Sequence, residues 1–144
     1  MLFGGSGNDV LTGGGGNDTY QFGPGGGQDR VVNGTAASTS PSGELDFAGV
    51  RADQLWFQRN GNDLSIAIMG SHDLVTVAGW FTGAGAQLQE IKTADGMKIG
   101  AGVSQLVQAM ATFSSDHAGF DPTIATQAPA DSGVQLAIAT NWHQ

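Results

Sequence analysis

The sequence predicts an all-β fold, a right-handed parallel β-roll that is continued or capped by further β-strands and followed by one C-terminal helix. Three observations predict this class. Residues 4–32 repeat a nine-residue pattern, residues 45–99 alternate apolar and polar side chains between turns, and residues 101–113 change to helical spacing. The chain accordingly divides into a repeat region, a β-strand cap, and a helix with its C-terminal tail: residues 1–34, 35–100 and 101–144.

The repeat has the form G-G-x-G-x-D-x-U-x, in which U is a large apolar residue. Residues 4–12 and 13–21 match it, and residues 24–32 form a damaged copy in which Pro24 replaces the first glycine. Glycine adopts positive φ without steric cost, so the first six residues can form a tight turn. The last three residues form a short strand with U pointing inward. The U positions are occupied by Leu11, Tyr20 and Val31.

The glycine turns and their aspartates have the composition of a calcium site. Ca²⁺ takes about six to eight oxygen ligands, and it accepts both carboxylates and backbone carbonyls. One turn supplies too few oxygens, so a site must be shared between two stacked turns. A flexible glycine linker would carry neither phased aspartates nor phased apolar residues. The candidate metal ligands are Gly4, Ser6, Gly7, Asp9, Gly13, Gly15, Gly16, Asp18, Gly25, Gly27 and Asp29.

The phase of the repeat predicts which turns meet. Two nonapeptides make one coil, so the turn of Asp9 should stack on the turn of Asp29. These aspartates lie 20 residues apart because Phe22 and Gly23 are inserted between the second and third copies. We expect one fairly complete calcium site between Asp9 and Asp29. Leu2 falls at U of a preceding repeat, which suggests a piece of a longer array.

The turn of Asp18 should face the other edge of the coil. Its stacking partner would fall within residues 33–46, where no intact repeat remains. Either Glu44 or Asp46 could complete a second site there, and the sequence leaves the choice open.

Composition restricts the classes of partner. The net charge is −8 with a pI of about 4.3, which argues against nucleic acid and anionic membrane surfaces. The chain has no cysteine, so a metal is a more plausible stabiliser than a disulfide. No apolar run approaches the length of a membrane span, and no N-terminal signal peptide is visible. We expect a monomer.

The sequence predicts no enzyme and no catalytic residues. None of the three histidines belongs to an H-E-x-x-H motif. Ser71, His72 and Asp73 are consecutive, and neighbours in a turn rarely reach the geometry of a catalytic triad.

The later parts of the chain are strands and then a helix. The segment 60–63, Asn-Gly-Asn-Asp, predicts a hairpin turn. Val103, Leu106, Val107, Met110 and Phe113 share one helical face, which could pack over the open end of the β-stack or serve in export or partner binding. Residues 114–144 predict a weakly ordered tail.

The chain resembles the C-terminal region of RTX proteins, which bacterial type I systems export, with the haemolysin-type calcium-binding-related domain. The nonapeptides are the most specific part of the resemblance. Later stretches that look like the same family are LWF followed by NGNDL (55–64), VTVAGWF (75–81), EIKTADG (90–96), QLVQAM (105–110) and the final Asn141-Trp142.

The resemblance implies that the chain is secreted and extracellular, and that its partners are calcium ions and the type I secretion apparatus. It implies an uncleaved C-terminal secretion signal and repeats that fold on meeting Ca²⁺ outside the cell. The alternative is a calcium-dependent carbohydrate- or cell-surface-binding module of a secreted enzyme or adhesin. Trp56 and Trp80 would be its candidate contact residues, although buried strand tryptophans are the more ordinary interpretation.

Overall fold

A computed structural model describes residues 2–3, 7–14, 18–23, 25–33, 43–82, 86–100, 102–125 and 129–143. They form β-strands β1 (Leu2–Phe3), β2 (Val10–Gly14), β3 (Thr19–Phe22), β4 (Gln28–Asn33), β5 (Glu44–Phe47), β6 (Leu55–Asn60), β7 (Asp63–Ile68), β8 (Leu74–Val77), β9 (Glu90–Thr93) and β10 (Lys98–Ile99). A 3-10 helix spans Ala52–Gln54, and the α-helices are α1 (Val103–Asp116) and α2 (Ser132–Asn141).

The strands form two five-stranded sheets. The first sheet has the order β1-β3-β5-β9-β10, with parallel pairs up to β9 and an antiparallel β10. The second has the order β2-β4-β8-β7-β6, in which β2, β4 and β8 are parallel and β8, β7 and β6 are antiparallel. Consecutive repeat strands therefore alternate between the two sheets.

The predicted all-β, right-handed parallel β-roll is wrong. The described residues form a mixed α/β fold with two mixed sheets and two α-helices, and their strands do not close into a solenoid. The physical reason lies in the turns after the repeats. Gly61 has a φ of +63° and reverses the chain between β6 and β7, where Asn60 pairs with Asp63, so neighbouring strands run antiparallel. The hairpin predicted at residues 60–63 is thus confirmed.

The inserted residue Phe22 has become part of the core. It ends β3 opposite Phe47 of β5, and the two ring centroids lie 6.4 Å apart. Of the predicted inward positions, Tyr20 and Val31 are fully buried and Leu11 packs partly buried against the same core. The insertion therefore adds apolar burial without destroying the pairing of the repeat strands.

The predicted helix is confirmed as α1, and its apolar face packs on the core, with Phe113 only partly buried. Met110 of α1 lies against β6, where its Sδ accepts a hydrogen bond from the Phe57 N–H at 3.1 Å. The prediction of a weakly ordered tail is wrong, because α2 lies within residues 114–144. Asp131 caps α2 by accepting from the Val134 N–H at 3.0 Å, and Trp142 packs on Phe57 with centroids 6.0 Å apart.

Neither described helix is long and apolar enough to cross a membrane.

Candidate metal centre

The turns of Asp9 and Asp29 are stacked as the repeat phase predicts. Strands β2 and β4 pair in parallel with Val10 opposite Arg30, which keeps the two aspartates in register. The Asp9 N–H donates to Asp29 Oδ1 at 2.9 Å, and the Arg30 N–H donates to the Asp9 carbonyl at 2.9 Å. The predicted meeting of these two turns is confirmed.

A third segment joins this stack from outside the repeat. Residues 7–9, 25–29 and 71–73 lie side by side, and we refer to them as the first turn stack. The Gln28 N–H donates to Asn8 Oδ1 at 2.9 Å on one side. On the other side the Leu74 N–H donates to the Gly27 carbonyl at 3.0 Å. The turn of Asp29 is therefore enclosed between two neighbours.

Glycine is required where these turns approach one another. Gly27 has a φ of +81°, and a Cβ there would lie 2.6 Å from the carbonyl oxygen of Gly7. Gly7 and Gly25 also have positive φ, at +92° and +85°. A side chain at position 27 would both strain the backbone and separate the stacked turns.

The electrostatics of the first turn stack favour a cation. Asp29 is only 4 % exposed, and burial raises the pKa of its carboxyl, with the charges of Asp9 and Asp73 acting in the same direction. Asp9 Oδ2 is buried without a hydrogen-bond partner in the described structure. A buried, unpartnered carboxylate oxygen beside the buried Asp29 carboxylate is unfavourable unless a bound cation or a proton neutralises the charge. The residues present therefore fit a bound Ca²⁺.

Side chains alone do not make a complete cage. Within the described ranges, no group of three or more Asp, Glu or His side chains is arranged to hold a metal ion. Calcium sites also use backbone carbonyls, which the predicted glycine turns would contribute. The predicted ligands Gly4, Ser6, Gly15 and Gly16 lie outside the described residues.

The turn of Asp18 faces a different set of neighbours. It lines a cavity of about 290 Å³ together with Thr19, Gly43, Glu44, Gln89 and Glu90. The Glu44 N–H donates to the Asp18 carbonyl at 2.9 Å, whereas Asp46 is in register with Gln21 and lines another cavity. Glu44, rather than Asp46, is thus the neighbour of Asp18.

Asp18 also contacts its own repeat. One of its buried carboxylate oxygens, Oδ2, has no hydrogen-bond partner among the described residues, and a Cβ on Gly13 would lie 2.7 Å from it. Burial raises the pKa of Tyr20, and the Asp18 charge raises it further. The Tyr20 hydroxyl donates to Asn33 Oδ1 at 3.0 Å.

The carboxylates next to this cavity already have a cation. Lys92 Nζ lies 2.9 Å from Glu44 Oε2 and 3.7 Å from Glu90 Oε2. The hydrogen bond to Glu44 is the main reason that the pKa of Lys92 is raised, and the charges of Glu44, Glu90 and Asp46 add to it. An ammonium group here reduces the need for a metal at Glu44 and Glu90.

Sequence reasoning did not single out Asn8 and Asp73 as parts of the stack. Asp73 Oδ1 accepts from the Gly27 N–H at 2.9 Å, and Oδ2 accepts from the Gly25 N–H at 2.8 Å. The available signal was the segment Asp73-Leu74-Val75, which repeats the aspartate-x-apolar ending of the nonapeptide without its glycines. Ser71 and Asp73 also contact each other within the loop, where the Asp73 N–H donates to Ser71 Oγ.

The residues after the hairpin match a known domain. The family model described as the haemolysin-type calcium binding protein related domain matches residues 63–101, about a quarter of the chain. This stretch contains β7, β8, β9 and β10, and it includes both Asp73 and Lys92. The match suggests calcium binding. Over residues 63–101 the chain is therefore similar to the haemolysin-type calcium binding protein related domain.

Proposed function

We propose that this chain is a calcium-binding module whose N-terminal turns are completed by a Ca²⁺ ion held between Asp9 and Asp29. The observation that carries the proposal is the meeting of Asp9 with the buried Asp29 in stacked turns, where the buried Asp9 Oδ2 has no hydrogen-bond partner among the described residues. The domain match at residues 63–101 supports calcium as the ion.

The bound ion supplies positive charge, and the chain supplies its position. Asp9 and Asp29 would hold the ion with carboxylate oxygens, and the glycine turns beside them are candidates for carbonyl ligands. Extracellular calcium modules bind at about 10⁻⁴ to 10⁻³ M, which is above calcium levels inside cells. Such a module stays weakly folded until it meets calcium, because binding free energy contributes to folding.

The first experiment compares the chain in EDTA and in about 1–10 mM CaCl₂, a range set by the affinities of extracellular modules. We expect stronger β-type circular dichroism and a higher Tm with calcium, and a much smaller change with MgCl₂. Mg²⁺ is the matched control because it is smaller and requires a stricter octahedral geometry. Identical spectra and melting curves in EDTA and calcium would overturn the proposal.

We extend the proposal to export by a type I system followed by folding outside the cell. Its support is the resemblance of the C-terminal segments and the low calcium of the cytosol. Expression of the whole chain in a host with and without such a transporter tests it. We expect the chain in the medium only when the transporter is present, and equal amounts in both hosts would contradict it.

The described residues do not favour the alternative of a carbohydrate- or surface-binding module. Trp56 and Trp80 are buried at 0 % and 2 % exposure, so neither presents a ring to a ligand. Trp142 is also buried.

A further inference from the structure

The loop between β7 and β8 is hydrogen-bonded to the turn of the third repeat copy, residues 25–29. The Asp73 carboxylate accepts two backbone hydrogen bonds, with Oδ1 bound to the Gly27 N–H and Oδ2 to the Gly25 N–H. These contacts join residues 46 and 48 positions apart. A carboxylate that accepts two backbone N–H groups forms strong, charge-assisted hydrogen bonds. Asp73 therefore attaches the family-matched part of the chain directly to the repeat.

Asp73 is itself held in place by its loop. Its N–H donates to Ser71 Oγ at 3.1 Å, and the Ser71 hydroxyl donates to the Ile68 carbonyl at 2.8 Å. The Asp73 carbonyl accepts from the Ile68 N–H at 3.1 Å. The carboxylate is thus presented to the repeat by a closed loop whose end strands pair in β7 and β8.

The turn that Asp73 binds is the one that contains Asp29. It has Asn8 on its other side, where the side-chain carbonyl accepts from the Gln28 N–H. The third turn therefore receives contacts from the first repeat and from the loop of Asp73 at the same time.

We propose that Asp73 is a positioning residue that couples cation binding at Asp9 and Asp29 to the stability of the β6–β8 part of the second sheet. This inference rests on the proposed calcium site and adds a role to a residue outside the repeat. Asp73 fixes the backbone of residues 25–27, and this backbone determines where the Asp29 carboxylate stands. By reciprocity, a cation that orders the Asp29 turn also stabilises the loop and strands that hold Asp73.

Both oxygens of Asp73 are needed for this role. In Asp73→Asn one carbonyl oxygen remains as an acceptor, while the amide NH₂ is a donor facing a backbone N–H. The variant keeps the size of the side chain but loses one hydrogen bond and the negative charge. Asp53→Asn is the matched control, since Asp53 has a half-buried side chain that pairs with Arg51 away from the stack.

The test measures calcium affinity by calorimetry and Tm in EDTA and in calcium for the wild type, Asp73→Asn and Asp53→Asn. We expect Asp73→Asn to weaken calcium binding by about tenfold, within the usual range for coupled sites, and to shrink the rise in Tm that calcium produces. Asp53→Asn should leave both quantities at their wild-type values.

A purely structural role predicts a different result. In that case the Tm of Asp73→Asn would fall equally with and without calcium, and its affinity would match the wild type, which would overturn the inference. A wild type without any calcium response would instead overturn the proposed function. If Asp73→Asn does not fold in EDTA, Ser71→Ala loosens the same loop more gently, and unchanged calcium affinity in that variant would also overturn the coupling.

Discussion

Two regions of this molecule bring carboxylates together on neighbouring parallel strands, and they neutralise them differently. At the first turn stack, Asp9 and Asp29 meet with no basic side chain paired to them, and Asp9 Oδ2 has no partner in the described structure. On the outer side of the first sheet, Glu44 and Glu90 share the ammonium of Lys92. Under the proposed function, the first region would take its counter-charge from a bound cation, whereas the second region already contains the ammonium of Lys92.

The difference follows from strand position. Lys92 comes from β9, which pairs directly with β5 and places Lys92 opposite Asp46, within reach of Glu44. The strand next to β4 is β8, and its nearest contribution to the stack is another carboxylate, Asp73. One region therefore contains its counter-ion in the chain, whereas the other gathers further negative charge.

The largest expected effect comes from removing a ligand in the first region. Asp29→Asn should weaken calcium binding by about 10- to 100-fold, because ligand charge sets the affinity of such sites. In EDTA the same variant should be at least as stable as the wild type, because a buried carboxylate that repels Asp9 has been neutralised. Calorimetry and thermal melts measure both effects.

Asp46→Asn is the control for this comparison. It also removes a partly buried carboxylate whose pKa is raised, mainly by burial, but it lies outside the first turn stack. Its calcium affinity should stay within about twofold of the wild type. Equal losses in Asp29→Asn and Asp46→Asn would show that the metal is not confined to the first region.

A smaller effect is expected from removing the internal cation. Lys92→Met should lower the free energy of unfolding by about 0.5–1 kcal/mol, a value kept low because these side chains are about one-third exposed. The loss should be the same in calcium and in EDTA, as measured by urea unfolding. The added change Glu44→Gln should recover part of the loss, since it removes the charge left unpaired. A loss that appears only in EDTA would contradict the comparison.

The smallest effect concerns a contact that joins the repeat to the hairpin without a metal. The Gly79 N–H, donating to Asp63 Oδ1 at 2.7 Å, is the main cause that lowers the pKa of Asp63, and Arg30 adds to it. A lowered folded pKa stabilises the protein above the unfolded value of about 3.9, and this stabilisation is lost as pH falls through the folded pKa. Asp63→Asn should therefore flatten the loss of stability below about pH 4.

Arg30→Met should reduce the acid sensitivity of the protein less than Asp63→Asn does. It removes the weaker of the two contributions and leaves the Gly79 hydrogen bond, so the acid limb of the stability curve should flatten less than in Asp63→Asn. Melting temperatures between about pH 2.5 and 6 measure both curves. An unchanged acid limb in Asp63→Asn would remove Asp63 from the acid response.

The repeat allowed the sequence to predict the stack of Asp9 and Asp29, because a fixed period and a known insertion determine which turns meet. The buried positions of Tyr20 and Val31 followed from the same period. The class of the whole fold could not be extrapolated from it. The reversal at Gly61 and the two helices depend on residues beyond the last repeat.

Contacts between distant parts of the chain could not be predicted from local sequence patterns. The choice between Glu44 and Asp46 required the register of β3 with β5, since a shift of two residues exchanges them. Asp73 reaches Gly27 across 46 residues, and no local pattern encodes that distance. In the tail, Val134, Leu136 and Ile138 alternate as in a strand, but the pair Val134 and Ile138 also suits a helix turn, and the structure has a helix there, capped by Asp131.

The burial of the aromatic residues has a practical consequence for spectroscopy. The only tyrosine, Tyr20, lies in the repeat with its hydroxyl bound to Asn33, while the three tryptophans lie outside the repeat and are buried. Tryptophan emission excited selectively therefore reports on the residues after the repeat, and energy transfer from Tyr20 to the tryptophans reports on whether the repeat strand β3 has packed against them. The order in which the two halves fold can be followed in one unlabelled sample.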